Sequence, residues 1–261
     1  MKIFKKLLLV SIFIVVIVAL EYTIKDRHMD IVNVTYAPSQ TKQLSQVKIG
    51  VIGDSWVYGK KLDRSITDKL HSLGVDVSVV SFGHPGANSR QILRDLLSDN
   101  SNPYSSHALL LDSDVSFLAI VAGVNDATGH MGKEFYTQHI KDIVSVVDSY
   151  SKIPIIVELP EFNIEETSGS YPSIAKHEIY KILFDDGKTD VISDYRDSLK
   201  TSLDESKLNY KLIPFTPIAE DYSASINLYS SPWHLNEEGS KRLGAYIGES
   251  ISVELIKLRG R

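Results

Sequence analysis

From residue 47 onward, short apolar runs rich in β-branched residues alternate with longer segments of mixed, helix-like character. Apolar runs of roughly four to eight residues favour buried strands, and they predict strands at residues 47–52, 75–81, 115–122, 154–159 and 210–215. The mixed segments predict helices near residues 66–73, 89–97, 135–150 and 191–203, and a last helix that begins near Asn236. Such alternation is typical of parallel strands joined by right-handed crossovers, so we predict an α/β fold, a three-layer α/β/α sandwich around a parallel sheet of about five strands.

The N-terminus carries a different pattern. Lys2, Lys5 and Lys6 precede an apolar run at residues 7–20 that contains no charged residue. A basic segment before an apolar run is typical of export signals, and lysines before such a run keep that end in the cytoplasm. As a helix the run would span roughly 21 Å, which is short for a bilayer. No small-residue cleavage pattern follows it, however, and this argues against removal by a signal peptidase.

We therefore predict that residues 1–22 form an uncleaved signal-anchor, a single N-terminal membrane segment. A cleaved signal peptide is the first alternative, and a buried core helix is the second. Residues 23–46 are polar and aperiodic, which predicts a stalk. Both export interpretations place a domain at residues 47–261 outside the cytoplasm, either held at the cell membrane or secreted after cleavage.

Composition narrows the classes of function. The formal net charge is −5 and no basic cluster is visible, so we expect no nucleic-acid partner. The chain has no cysteine, which excludes disulfides, a thiolate nucleophile and lipid attachment through cysteine. The histidines show no helical pairing of metal ligands, so neither a metal nor a cofactor is predicted. The acid-rich segment at residues 185–188 indicates a solvated turn.

Chemistry-bearing residues follow three of the predicted strands. The carboxyl ends of parallel strands lie at one rim of a sheet, so these residues are expected to face one crevice. The segments are GDSW at residues 53–56, SFGHPGANS at 81–89 and GVND at 123–126, with WHLNEEG at 233–239 near the C-terminus. A Gly-Asp-Ser triplet alone would more simply be a capping turn, and Asp54 and Asp126 are expected to accept backbone N–H bonds within their loops.

This ordered set of segments resembles the SGNH/GDSL hydrolase family, over residues 47–248. The resemblance implies a flavodoxin-like arrangement of the sheet and a catalytic serine at Ser55, with His234 as its base. It also implies three donors to an oxyanion: the backbone N–H groups of Ser55 and Gly86 and the side-chain amide of Asn125. Such donors stabilise the negative charge that develops when a serine attacks an ester carbonyl.

One position departs from the family. The family usually has an aspartate three residues before the histidine, where this chain has Ser231. A carboxylate there fixes the imidazole tautomer and stabilises the imidazolium, whereas serine offers only a neutral hydrogen bond. Three explanations stay open: a Ser-His dyad oriented by a backbone carbonyl, a substitute carboxylate such as Asp221 or Glu161, or a weakened enzyme.

Three further residues are candidates for substrate contact. Trp56 and Trp233 adjoin the presumed catalytic residues, where their rings could stack on a sugar or line an acyl pocket, although core packing explains them equally well. His84 lies between the two glycines of the oxyanion loop, and a solvated loop position is the simpler interpretation.

The function that follows is an extracytoplasmic serine esterase. By analogy with the family, its partner is an acylated glycan or another small ester, and it removes an O-acyl group, acetyl above all, from an envelope or exported polysaccharide. The alternatives are an O-acyltransferase that uses the same acyl-enzyme, a lipid esterase, which no lid-like segment supports, and a non-catalytic glycan-binding protein, which Ser231 supports. The sequence predicts no particular oligomeric state.

Overall fold

The computed structural model describes residues 47–99, 101–164 and 171–259. The predicted signal-anchor at residues 1–22 and the predicted stalk at residues 23–46 lie outside the described residues. Within the described ranges, no helix has the length and apolarity needed to cross a membrane.

A five-stranded parallel sheet forms the centre of the described domain. In chain order its strands are β1 (Val47–Gly53), β2 (Val77–Gly83), β3 (Val115–Val121), β4 (Ile153–Val157) and β5 (Lys211–Ile213). The spatial order is β2-β1-β3-β4-β5, and every neighbouring pair is parallel. The predicted sheet is therefore confirmed, with strand ends shifted by a few residues.

The central strands are buried along almost their whole length. In β1, six of seven residues are buried, and β3 has the same pattern. A parallel sheet covered on both faces needs apolar side chains on both faces, so its strands are continuous apolar runs without polar alternation. At the sheet edge, β5 is three residues long and pairs with β4, so it is shorter than the predicted segment at residues 210–215.

Helices cover the sheet and connect its strands. They are α1 (Asp63–Ser72), α2 (Ser89–Leu97), α3 (Ala108–Leu111), α4 (Val124–Thr128), α5 (Lys133–Ser149), α6 (Tyr171–Phe184), α7 (Ile192–Asp204) and α8 (Glu237–Arg259). The five predicted helices correspond to α1, α2, α5, α7 and α8. The sequence pattern did not predict α3, α4 or α6.

A short antiparallel hairpin precedes the last helix. Its strands are β6 (Tyr229–Ser231) and β7 (His234–Leu235), and the register pairs Ser231 with His234. Next to it, Asn236 caps α8, because its Oδ1 accepts the backbone N–H of Gly239 at 3.0 Å. The hairpin and the cap together fix the backbone on both sides of His234.

Candidate active site

Ser55 lies directly after β1, at the carboxyl end of a central strand. At the preceding Gly53, an added Cβ would come within 2.1 Å of the Val121 carbonyl oxygen, so only glycine allows β1 and β3 to meet this closely. The Asp54 side chain is fully buried, and its Oδ1 accepts the backbone N–H of Trp56 at 2.9 Å. This bond holds the tight turn that presents the Ser55 hydroxyl to the rim of the sheet.

His234 is within hydrogen-bond distance of Ser55. Its Nε2 lies 3.0 Å from the Ser55 Oγ, and its Nδ1 lies 3.0 Å from the Ser231 Oγ. Partial burial lowers the pKa of the His234 imidazole, and the positive charge of Lys61 lowers it further. The ring is therefore predominantly neutral at neutral pH, as a general base must be.

Ser231 takes the place beside Nδ1 where a carboxylate would orient the ring. In the productive tautomer, the Nδ1–H of His234 donates to the Ser231 Oγ, and Nε2 is free to accept the Ser55 proton. A hydroxyl can also donate to Nδ1, which favours the opposite tautomer. Ser231 therefore positions the ring but selects its tautomer less strictly than an aspartate would.

The two predicted carboxylate substitutes make other contacts. Asp221 is exposed and its Oδ1 accepts the backbone N–H of Ala224 at 3.0 Å. Glu161 forms an ion pair with Arg196. The structure thus brings neither carboxylate to His234, and the hydrogen-bond partner of Nδ1 is Ser231.

The three predicted oxyanion donors line one cavity with His234. Gly86 has φ +76°, a conformation that favours glycine, and a Cβ there would meet no atom within 4 Å. Within the described residues, no protein acceptor is bonded to the backbone N–H groups of Ser55 and Gly86. The Asn125 Nδ2 donates to the Ala87 carbonyl at 2.9 Å and makes a longer hydrogen bond of 3.4 Å to the Asp54 Oδ2. The first bond fixes the amide plane, and the second is long enough for a ligand oxygen to compete for that hydrogen.

Two buried carboxylates support these loops. Asp126 Oδ2 accepts the backbone N–H of Ser89 at 2.8 Å, and its Oδ1 accepts the Ser89 hydroxyl at 2.5 Å. Both Asp54 and Asp126 thus accept backbone N–H bonds, as expected from their loop positions. Burial raises the pKa of Asp54 to about 7 and that of Asp126 to about 6, and the negative charge of Asp126 contributes to the shift at Asp54.

The cavity has a volume of about 570 Å³, and Ser55 lies in its wall. It is lined by the oxyanion loop, by α4 and the residues after it, by α6 and by the residues around His234. The lining residues are Ser55, Pro85, Gly86, Val124, Asn125, Thr128, Gly129, Met131, Ile174, Lys176, His177, Trp233 and His234. Its size exceeds what an acetyl group needs and leaves room for the alcohol part of an ester.

The candidate substrate-contact residues separate into two groups. Trp233 lines the cavity. Trp56 is 5% exposed, donates its indole N–H to the Trp233 carbonyl at 2.9 Å and packs on Phe215, so it is part of the core. His84 is neither solvated nor in the cavity lining, because its Nδ1 is 2.6 Å from the Asp95 Oδ2 and its ring stacks on Tyr104.

Other parts of the site were not predicted. Ile174, Lys176 and His177 of α6 line the cavity, and Lys61 lies beside Ser55 and His234 in a smaller pocket. No motif marks these residues, since their role depends on how α1 and α6 pack against the sheet. Among the described residues, no group of histidines and carboxylates has a geometry suited to a metal ion.

This chain is similar to known proteins in its structure and not in its sequence. No protein-family model matches the chain, and no curated protein matches its sequence. Among solved structures, an acetyl xylan esterase matches with a TM-score of 0.56, 12% identity, and coverage of 78% of this chain and 100% of the other. A GDSL-like lipase from Bacteroides thetaiotaomicron matches with a TM-score of 0.52, 14% identity, and coverage of 79% and 88%.

A carbohydrate acetylesterase from Sinorhizobium meliloti also matches, with a TM-score of 0.51, 14% identity, and coverage of 80% of this chain and 99% of the other. Identities this low establish a fold and do not transfer an activity. The described domain has the fold of the SGNH/GDSL hydrolases.

Proposed function

We propose that this protein is a serine esterase that removes O-acyl groups, in particular acetyl groups, from a polysaccharide outside the cytoplasmic membrane. The observation that carries the proposal is the contact between the Ser55 hydroxyl and His234 Nε2 at 3.0 Å. Both residues of this pair line a cavity that Gly86 and Asn125 also line. A nucleophile, a base and oxyanion donors around one cavity are what acyl transfer through a covalent intermediate requires.

Acylation begins when His234 Nε2 accepts the Ser55 proton and the Ser55 Oγ attacks the ester carbonyl. The carbonyl oxygen becomes an oxyanion, which the N–H groups of Ser55, Gly86 and Asn125 stabilise. The imidazolium then gives its proton to the leaving alcohol as the C–O bond breaks, and the acyl group stays on Ser55. Because Ser231 is neutral, this imidazolium forms without an adjacent carboxylate.

Deacylation repeats the same steps with water as the nucleophile. His234 takes a proton from the water, the same three donors hold the second oxyanion, and the acid leaves with Ser55 restored. If a sugar hydroxyl replaces water, the product is a new ester. The O-acyltransferase alternative therefore shares every residue of the site and differs only in the acceptor.

Two observations support a glycan ester as substrate. The cavity wall includes Trp233, and an indole ring can pack against the apolar face of a sugar. The similar structures include proteins described as an acetyl xylan esterase and a carbohydrate acetylesterase. The predicted signal-anchor at residues 1–22 supports action at the outer side of the membrane, where such polysaccharides are found.

The test is covalent labelling and turnover of the full chain. A fluorophosphonate should label the parent protein, and Ser55→Ala should abolish both labelling and hydrolysis of p-nitrophenyl acetate. Ser105→Ala is the matched control, because Ser105 is a loop serine outside the cavity lining. Labelling of Ser55→Ala at the parent's rate would refute the assigned nucleophile. Absence of labelling in the parent would favour the non-catalytic glycan-binding alternative.

A further inference from the structure

A buried pair of an aspartate and a histidine lies behind the wall of the candidate active site. His130 is fully buried, and its Nδ1 lies 2.7 Å from the Asp185 Oδ2. Asp185 follows α6 directly and is also buried, so the predicted solvated turn at residues 185–188 is wrong for this residue. Its side chain is held in the interior by the pairing with His130.

Backbone geometry and further hydrogen bonds fix this pair in place. His130 has φ +48°, an unfavourable conformation for a residue with a side chain, which indicates that its surroundings hold it there. Tyr195 of α7 lies 3.4 Å from the Asp185 Oδ2 and accepts the backbone N–H of Gly132 at 2.7 Å. Two helices and the loop after α4 therefore converge on Asp185 and His130.

The other side of the His130 ring meets the cavity wall. The ring packs edge-to-face on that of His177, with 4.4 Å between the ring centroids. Within the described part of the chain, His130 Nε2 has no hydrogen-bond partner. A buried polar atom without a partner is costly, so the position of the His130 Nε2 calls for an explanation other than stability.

Of Asp185, His130 and His177, it is His177 that lines the cavity, together with Ser55 and Asn125. We propose that His177 determines specificity by hydrogen-bonding a hydroxyl group of the sugar from which the acyl group is removed, and that the Asp185–His130 pair positions its ring. The inference rests on the proposed esterase function and names the part of the substrate that this wall recognises.

The chemistry of His177 suits a sugar hydroxyl. A neutral imidazole carries one donor and one acceptor, and a hydroxyl group can satisfy either. Partial burial lowers the pKa of His177, and the neighbouring His130 lowers it further, so the ring is predominantly neutral at neutral pH. Glu178 and Lys181 on α6 and Asp185 behind it are the other charged groups that act on this ring.

His177→Phe tests the contact, because phenylalanine keeps a ring against His130 and removes both hydrogen-bonding atoms. The probes are a monoacetylated methyl β-xyloside and p-nitrophenyl acetate, whose leaving group carries no sugar hydroxyl. We expect KM for the xyloside ester to rise about tenfold, as for the loss of one or two neutral hydrogen bonds, and KM for p-nitrophenyl acetate to change clearly less, because its leaving group offers no hydroxyl. His177→Gln keeps a donor and an acceptor and should recover part of the loss.

Asp185→Asn tests the positioning role. It should raise KM for the xyloside ester in the same selective way, and combining it with His177→Phe should add little, because both changes act through one ring. His71→Phe, the same substitution at a half-exposed histidine of α1, is the control and should match the parent on both probes. Thermal melting of each variant separates loss of folding from loss of recognition, and His177→Phe alone decides the contact if Asp185→Asn does not fold.

Binding to Ser55→Ala separates this inference from the proposed function. Calorimetric titration of Ser55→Ala with the xyloside ester measures recognition without turnover, and adding His177→Phe should weaken binding about tenfold. The role of His177 would be overturned by any of three results for His177→Phe. These are an equal loss of activity on both probes, no loss on either probe, and unchanged binding of the xyloside ester when the change is added to Ser55→Ala. Unchanged binding with an active parent would leave the esterase intact, whereas an inactive parent with His177-dependent binding would refute only the esterase.

Discussion

The Ser231 hydroxyl beside His234 leads to the most specific prediction about catalysis. Replacing Ser231 with Asp should place a carboxylate next to Nδ1, where the hydroxyl now lies at 3.0 Å. A carboxylate accepts only, so it selects the tautomer with Nδ1–H, and it stabilises the imidazolium that forms during attack. We therefore expect Ser231→Asp to be more active than the parent.

The size of the gain follows from the two kinds of hydrogen bond. A neutral hydrogen bond contributes about 1 kcal/mol, and one to a charged group about 1.5–3 kcal/mol. The difference is about 0.5–2 kcal/mol. We use about 1 kcal/mol, in the lower half of that range, because the site is partly exposed, and this corresponds to about a fivefold gain in kcat/KM. Ser231→Ala loses the neutral bond and should cost about fivefold by the same reasoning.

Ser231→Asn is the matched control, since asparagine has the shape of aspartate without its charge. It should stay within about threefold of the parent, because its amide oxygen replaces one neutral acceptor by another. The assay is kcat/KM on p-nitrophenyl acetate between pH 5 and pH 9. The added carboxylate should raise the pKa of His234, so the acid limb of the Ser231→Asp profile should move to higher pH.

Three results would refute this reasoning. Equal gains in kcat/KM from Ser231→Asp and Ser231→Asn would show that the length of the side chain, and not its charge, limits the activity of the parent protein. A large loss in Asp221→Asn, together with no gain in Ser231→Asp, would mean that a carboxylate already acts on the ring, against the exposed position of Asp221 and its bond to Ala224. A gain without any movement of the acid limb would also contradict the assignment of His234 as the base.

Three further predictions follow from the site. Asn125→Ala should keep fluorophosphonate labelling and lower kcat by about 10² to 10³, and labelling lost together with activity would argue against an oxyanion role. Lys61→Met should raise the pKa of His234 and move the acid limb of kcat/KM to higher pH, whereas Lys60→Met should not. Burial raises the pKa of Asp126 to about 6, so the folded state binds more protons than the unfolded state between about pH 4 and pH 6 and stability falls as pH rises through that range. Asp126→Asn should reduce this fall in unfolding free energy, as measured by urea denaturation at pH 4.5 and pH 7, and an identical fall in both proteins would contradict the shift.

The sheet was predictable because its signal is local. In β1 and β3 every buried position carries an apolar residue or glycine, and only the half-buried Lys48 and Ser116 are polar, so each run stands out from its neighbours. The positions of Ser55, Gly86 and Asn125 at one rim follow from the same fact, since parallel strands place their carboxyl ends together. The sequence is therefore sufficient to predict which residues meet when each of them directly follows a strand of the same parallel sheet.

The walls of the site were not predictable, because they depend on packing between distant segments. Helix α6 exposes Ile174, Ile179, Ile182 and Leu183 and buries Tyr180, so its apolar positions do not form the single stripe that marks an amphipathic helix. Its cavity-lining residues are set by how this helix lies across Met131 and Phe135, with Tyr180 completing the cluster.

The orientation of the His234 ring was only partly predictable from the sequence. Ser231 is three residues away in sequence, which made it visible as a departure from the family, but spacing alone could not show whether its hydroxyl meets the ring. The β6–β7 hairpin decides this, because its register sets Ser231 opposite His234. A backbone pairing of two short strands thus turns an apparent loss of a catalytic group into a neutral hydrogen bond on Nδ1. His234 keeps its hydrogen bond to Ser55, so we expect the site to be active. Because its Nδ1 faces a neutral hydroxyl in place of a carboxylate, we also expect that an added negative charge at residue 231 would raise the rate.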